Sequence, residues 1–271
     1  MSIVRSVLKK NTFIYHTWKI YKTYPSSSKF LASYMKNGAR RIRNRFAGKL
    51  PIPDPYLVYL VAGTDDVDWF LHAGKMGAIC IRDVLESNDI SFDEIDAILD
   101  FGCGVGRVLR HFYPASHTNF YGTDINELLI SWSQKNLKFA NFQVNPLAGK
   151  LNFEDEKFDL IYAFSVFTHL TESLQFHWLK ELLRILKPNG YLLITTHGDY
   201  YQKELQPADL EKYRKGELVV YNSDQEGSNY CAAFHPYNYV QNTLATGLKM
   251  IAYIPEGAAG NPRQDLYLLQ K

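Results

Sequence analysis

The sequence has little sulfur and no long apolar run. Its three cysteines, Cys80, Cys103 and Cys231, stand far apart with no metal-ligand spacing. This argues against a metal centre or a disulfide framework and points to reduced thiols in a cytoplasmic protein. No stretch approaches the roughly 18 uninterrupted apolar residues that a membrane-spanning helix needs. The first residues, Met1 to Tyr24, interleave basic and aromatic side chains too closely to form the apolar centre of a signal peptide. No internal repeat or low-complexity tract is present. One segment lacks negative charge altogether: residues 1–50 hold twelve Lys and Arg and no Asp or Glu. The net charge of +2 therefore conceals a basic arm joined to an acidic body, with 18 basic and 28 acidic residues after position 50. Such an arm must meet the acidic body or something acidic elsewhere.

What is present changes character along the chain. Residues 1–60 read as a helical extension, with Phe13, Tyr15, Trp18 and Tyr21 among the basic residues, broken at Pro25 and closed by Pro51, Pro53 and Pro55. A second helical stretch runs from Val67 to Leu85. From Ile95 onward, short apolar runs at 97–101, 119–124, 142–144, 158–163 and 190–196 alternate with helical patterns at 105–113, 127–139 and 172–186. Leu174, Trp178, Leu179, Leu182, Leu183 and Leu186 recur at the three- to four-residue spacing of a buried helix face. Strands apolar on both faces and separated by helices predict a doubly wound α/β domain over 61–271 with a parallel sheet covered on both sides. The last third adds a lid-like excursion at 199–236, a helix near 237–246, and two strands at 248–254 and 264–270. The connection between these two strands is too short for a parallel crossover, so they should be antiparallel neighbours.

The segment Asp100-Phe-Gly-Cys-Gly-Val-Gly-Arg107 follows a strand. Its glycines let the backbone turn tightly and approach a ligand, and Asp124, twenty residues beyond Gly104, falls at the end of the next strand, where a carboxylate can accept from ribose hydroxyls. This segment resembles motif I of the class I S-adenosylmethionine-dependent methyltransferases. Tyr121-Gly-Thr-Asp-Ile-Asn126, Phe158–Leu170 and Leu186-Lys-Pro-Asn-Gly190 resemble later motifs of the same family, and Gln264–Leu269 resembles its antiparallel seventh strand. The resemblance covers about residues 95–271, in order. It implies S-adenosyl-L-methionine as cofactor, a Rossmann-like seven-stranded sheet, and contact of Gly102, Gly104 and Gly106 with the methionine part. It further implies that Asp100 meets the amino end, Asp124 the ribose with Ile125 beside it, and Asn145 the adenine amino group. Asn145 departs from the family's usual Asp, and Asn189 stands where the family usually has Gly. The plainer alternative is a nucleotide-binding loop for an unrelated cofactor.

A hydroxyl acceptor needs a base as well as alignment. The carboxyl ends of the fourth and fifth strands and the start of the last should face the cofactor, bringing together His169, His197, Asp265, Gln264 and Arg263, with His235 closing over them. His197 paired with Asp265 is the first candidate base and His169 the second; His235, Gln264 and Arg263 are candidate acceptor contacts. Each histidine also has a structural reading, as a turn-holding, pocket-lining or packing residue. The absence of an Asn/Asp-Pro-Pro-aromatic run after strand four, and of a Pro-Cys nucleophile, argues against DNA amino- and cytosine-methylation. The Tyr-, Asn- and Ser-rich excursion suits a polar acceptor, which points to O-methylation of a saccharide or similar hydroxylated molecule. Alternatives are an RNA methyltransferase gripping nucleic acid with the basic arm, and a cofactor-binding subunit without catalysis. For the arm itself, a cap docked on the acidic body ranks first, peripheral membrane contact second and nucleic acid third.

Overall fold

The computed structural model describes residues 32–38, 40, 44, 47, 49–114, 117–260 and 263–271. Two compact units divide the chain, Met1–Phe70 and Leu71–Lys271.

In the first unit, residues 32–38 are helical. Helix α1 (Pro55–Ala62) starts where Asp54 accepts from the N–H groups of Tyr56 and Leu57 at 3.1 and 3.2 Å. Such a cap satisfies donors that the first helical turn leaves open. Lys36 and Arg40 both pair with Asp68. These exposed pairs contribute on the order of 0–1 kcal/mol each. The aromatic and basic pattern expected over Met1–Tyr24 lies outside the described residues.

Helix α2 (Val67–Glu86) leads into the second unit. Its sheet is built from β1 (Ala97–Phe101), β2 (Asn119–Asp124), β3 (Ala140–Val144), β4 (Phe158–Ala163), β5 (Leu186–Thr196), β8 (Lys249–Ile254) and β9 (Asp265–Gln270) in the order β3-β2-β1-β4-β5-β9-β8. The first five strands are parallel, and β9 pairs antiparallel with both β5 and β8. The order reverses beside β1, which opens a crevice at the carboxyl ends of β1, β2 and β4. Helices α3 (Glu127–Asn136) and α4 (Glu172–Ile185) fall where the periodicity places them. Trp178, Leu174, Leu179 and Leu182 of α4 are buried against Phe101, Ile161 and Leu192 of the sheet.

Two local expectations change. The helix expected at 105–113 contracts to a short 3-10 turn, Leu109–Phe112. The fifth strand begins at Leu186 and carries Asn189 within it at φ 63°, a left-handed conformation that asparagine tolerates. The excursion holds helix α5 (Pro207–Arg214) and an antiparallel hairpin of β6 (Val219–Tyr221) with β7 (Ala232–Phe234). The hairpin is fastened to the sheet where His197 bridges Phe234 and the His235 N–H donates to the His197 carbonyl at 2.8 Å.

Candidate active site

The glycine loop leaves β1 with Gly102, Gly104 and Gly106 at φ 80°, 54° and 67°. At Gly102 a side chain is doubly excluded, because a Cβ would press into Val166 Cγ2. The loop is tied to β2: the N–H groups of Gly102 and Cys103 donate to the Thr123 carbonyl at 2.8 and 2.9 Å. Asp124 continues the tie, accepting from the Gly104 N–H at 2.9 Å on one oxygen and from the Asn126 N–H at 2.8 Å on the other. Each carboxylate oxygen keeps a further lone pair for another donor. Burial raises the Asp124 pKa, and the two N–H groups pull it back. Asp100 is more deeply enclosed. Burial raises its pKa to about 7, with the Tyr162 hydroxyl and the Arg107 guanidinium opposing the rise.

At the carboxyl ends of β2 and β3, Ile125, Val144 and Leu147 are apolar yet 42%, 46% and 41% exposed. Between them in the chain Asn145 is buried, its amide donating to the Pro146 carbonyl at 2.8 Å while its Oδ1 has no partner. A buried acceptor without a donor is costly unless a ligand supplies one. Two enclosed carboxylates, an open apolar pair of strand ends and an unmatched amide oxygen fit S-adenosylmethionine, which offers an ammonium, a ribose diol, an adenine ring and its amino group.

Past β4 and β5 the candidate acceptor-side residues meet, though not in the expected pairing. Asp265 spends one oxygen on the Tyr253 hydroxyl and the other on the Glu256 N–H, both at 2.9 Å. It packs against Gly198, and no hydrogen bond joins it to His197. The neighbour of His197 is His169, their rings edge to face at 6.4 Å. His197 also lies 4.3 Å from the ring of Tyr201 and 5.5 Å from that of Phe234. Burial lowers its pKa to about 4, with His169 adding to the effect. Burial lowers His169 as well, while the Cys231 carbonyl 2.7 Å from Nδ1 opposes the shift. A carbonyl only accepts, so Nδ1 carries the proton and Nε2 of the neutral ring presents a lone pair.

The other three candidates are occupied structurally. His235 is fully buried beneath the hairpin, with Nε2 3.1 Å from Gln175 Oε1 and its pKa pushed down by burial to about 3. Gln264 accepts from the Thr195 hydroxyl at 2.7 Å and donates to the Ser165 hydroxyl at 2.8 Å, while the Ser165 N–H donates to Thr195 Oγ1 at 2.8 Å. This ring ties the ends of β4 and β5 to the residue that precedes β9. Arg263 pairs with Glu256 at 2.8 Å and sits 4.5 Å above the Tyr200 ring. Ser165, Phe234 and the Cys231 carbonyl carry no sequence signal of these contacts, because each meets its partner from a distant part of the chain.

A family model described as a methyltransferase domain matches residues 99–194. The phosphoethanolamine N-methyltransferase of Plasmodium falciparum is 26% identical over 163 residues, 58% of this chain and 60% of that protein. The phthiotriol/phenolphthiotriol dimycocerosates methyltransferase 1 of Mycobacterium ulcerans is 36% identical over 140 residues, 48% of this chain and 43% of that protein. The chain thus spans about half the length of these curated relatives. A SAM-dependent methyltransferase from Methanosarcina mazei superposes with a TM-score of 0.51 at 21% identity, over 69% of this chain and 96% of its own, which speaks to the fold. Sequence motifs, strand order and the reversed polarity of β9 agree: residues 99–194 match a methyltransferase domain, and the seven-stranded sheet has the fold of the S-adenosylmethionine-dependent methyltransferase on which it superposes.

Proposed function

We propose that the chain transfers the cofactor's methyl group to a hydroxyl oxygen of a small polar acceptor, a saccharide or similar polyhydroxylated molecule. The observation that carries this reading is the pair His169 and His197, two neutral imidazoles held together at the ends of β4 and β5. The cofactor, when bound, supplies a methyl group already activated on a sulfonium. What remains for the protein is to hold the acceptor in line and to take its proton. His169, with Nδ1 committed to a carbonyl, has Nε2 available for that proton; His197, Tyr201 and Phe234 form a ring-lined wall against which an acceptor can lie. Neutral rings also suit a site that receives a cationic cofactor, since a charged imidazole would be repelled. In this reading Asp100 holds the cofactor's ammonium, Asp124 its ribose, and Ile125 and Asn145 its adenine.

A second reading, a hydroxylated lipid acceptor, is supported by the name of the Mycobacterium ulcerans relative and by the same aromatic wall. Methyl-labelled S-adenosylmethionine offered with separate pools of glycans, polar lipids and RNA tests both. Label entering glycans or lipids in an alkali-stable ether identifies the acceptor class, and label entering only amines or RNA defeats the O-methylation reading.

A further inference from the structure

The tip of the excursion, residues 222–231, lies across two parts of the site at once. On one side, a Cβ at Gly227 would collide with Leu147 Cδ1 and come within 3.4 Å of Ile125 Cδ1, so this backbone rests on the apolar strand ends where the cofactor's adenine is proposed to lie. On the other side, the loop is fastened to the turn after β4 by three bonds. The Gly227 N–H donates to the His169 carbonyl at 2.8 Å, His169 Nδ1 donates to the Cys231 carbonyl at 2.7 Å, and the Thr171 hydroxyl donates to Glu226 Oε2 at 2.5 Å. Thr171 stands at the cap position of α4, yet its hydroxyl caps no helix N–H; it donates to Glu226 and lies 3.2 Å from the Ser173 hydroxyl. A cap residue that donates its hydroxyl proton to a carboxylate 55 positions away, rather than accepting from its own helix, ties the loop to the start of α4.

We propose that the 222–231 loop, anchored by Glu226, is a positioning element that covers the nucleoside end of the cofactor and at the same time selects the His169 tautomer with its Nε2 lone pair free. The proposal deepens the reading of His169 as the proton acceptor and rests on it. Glu226 and the Cys231 carbonyl act through other groups and are positioning residues. Without the Cys231 carbonyl, a neutral imidazole places its proton on either nitrogen, and on Nε2 it can no longer accept one. The same three bonds hold Gly227 down on Ile125 and Leu147, so binding that depends on the cover and the tautomer of His169 should change together.

The test uses full-length protein with S-adenosylhomocysteine as probe and nitrogen-labelled histidine for imidazole spectroscopy. In the unaltered protein His169 should show one neutral tautomer, protonated at Nδ1. Glu226→Ala should yield a tautomer mixture and weaken S-adenosylhomocysteine about tenfold, the loss of one charge-assisted bond. Glu226→Gln, whose amide oxygen still accepts from Thr171, should restore most of both. Thr171→Val should reproduce Glu226→Ala, and the double variant should be no worse than either alone. An unchanged tautomer and unchanged affinity in Glu226→Ala would overturn the proposal, as would additive losses in the double variant. Failure of the unaltered protein to bind S-adenosylhomocysteine would strike the cofactor assignments instead, and the tautomer readout would still decide whether Glu226 governs His169.

Discussion

The N–H of Gly104 donates to the carboxylate of Asp124 across 2.9 Å, joining the glycine loop to the end of the neighbouring strand. The bond shapes the loop before any ligand arrives, and the same carboxylate keeps lone pairs for the ribose that the proposed function places there. Removing it therefore costs twice, through loop order and through the lost ligand contact.

Asp124→Ala should accordingly weaken S-adenosylhomocysteine by one to two orders of magnitude, since each charge-assisted bond contributes roughly 1.5–3 kcal/mol. Asp124→Asn, which keeps one acceptor, should lose less. Calorimetric titration measures both, and equal affinity in the alanine variant would remove Asp124 from the site.

Cofactor affinity should depend on pH through Asp100. Its folded pKa, near 7, lies above the ordinary carboxylate value because of burial. The neutral form thus favours folding below about pH 4, and this contribution is lost as pH rises toward 7. An ammonium ligand reverses the preference, so S-adenosylhomocysteine binding should strengthen from pH 6 to pH 8 and release a proton. Asp100→Asn should flatten that profile. Titrations in buffers of different ionisation enthalpy count the proton directly.

The buried histidines should contribute to the loss of stability in acid. His197 and His235 have folded pKa values near 4 and 3, depressed by burial below the ordinary value of about 6.5. Their neutral forms contribute stability that is present above pH 6.5 and lost as pH falls through 4 and 3. The urea midpoint should decline across that window. A His235→Asn variant, tested the same way, should show a shallower slope despite lower stability at neutral pH. A slope identical to that of the unaltered protein would mean that His235 does not titrate on unfolding.

Gly102→Ala should destabilise the fold as well as the site. The position combines φ 80° with a Cβ direction blocked by Val166. Left-handed backbone costs a non-glycine residue on the order of 1–2 kcal/mol, and the clash adds to this. A melting temperature within a degree of the unaltered protein would show that the loop relaxes at no cost.

Much of this molecule was legible in its residues. Alternating apolar runs and helical periodicity place the strands and α4, because each reports a local repeat that burial on one or both faces demands. The antiparallel pairing of β8 with β9 followed from a connection too short to cross over. The turn at Gly102, Gly104 and Gly106 was legible because positive φ at all three calls for glycine, and the tie from Gly104 to Asp124 spans only twenty residues.

The acceptor side was decided only by tertiary structure. His197 and Asp265 could each be placed at the right edge of the sheet, but the edge alone does not say which polar groups satisfy one another. Burial required partners for the Asp265 oxygens, and Tyr253 and the Glu256 N–H met that demand, leaving His197 beside His169. The His169 tautomer depends on a carbonyl 62 residues away, and a main-chain carbonyl has no residue type to read. The sequence determines the groups with which local backbone must be built; the long-range hydrogen bonds that satisfy buried polar atoms determine what those groups can do, and they exist only once the chain has closed on itself.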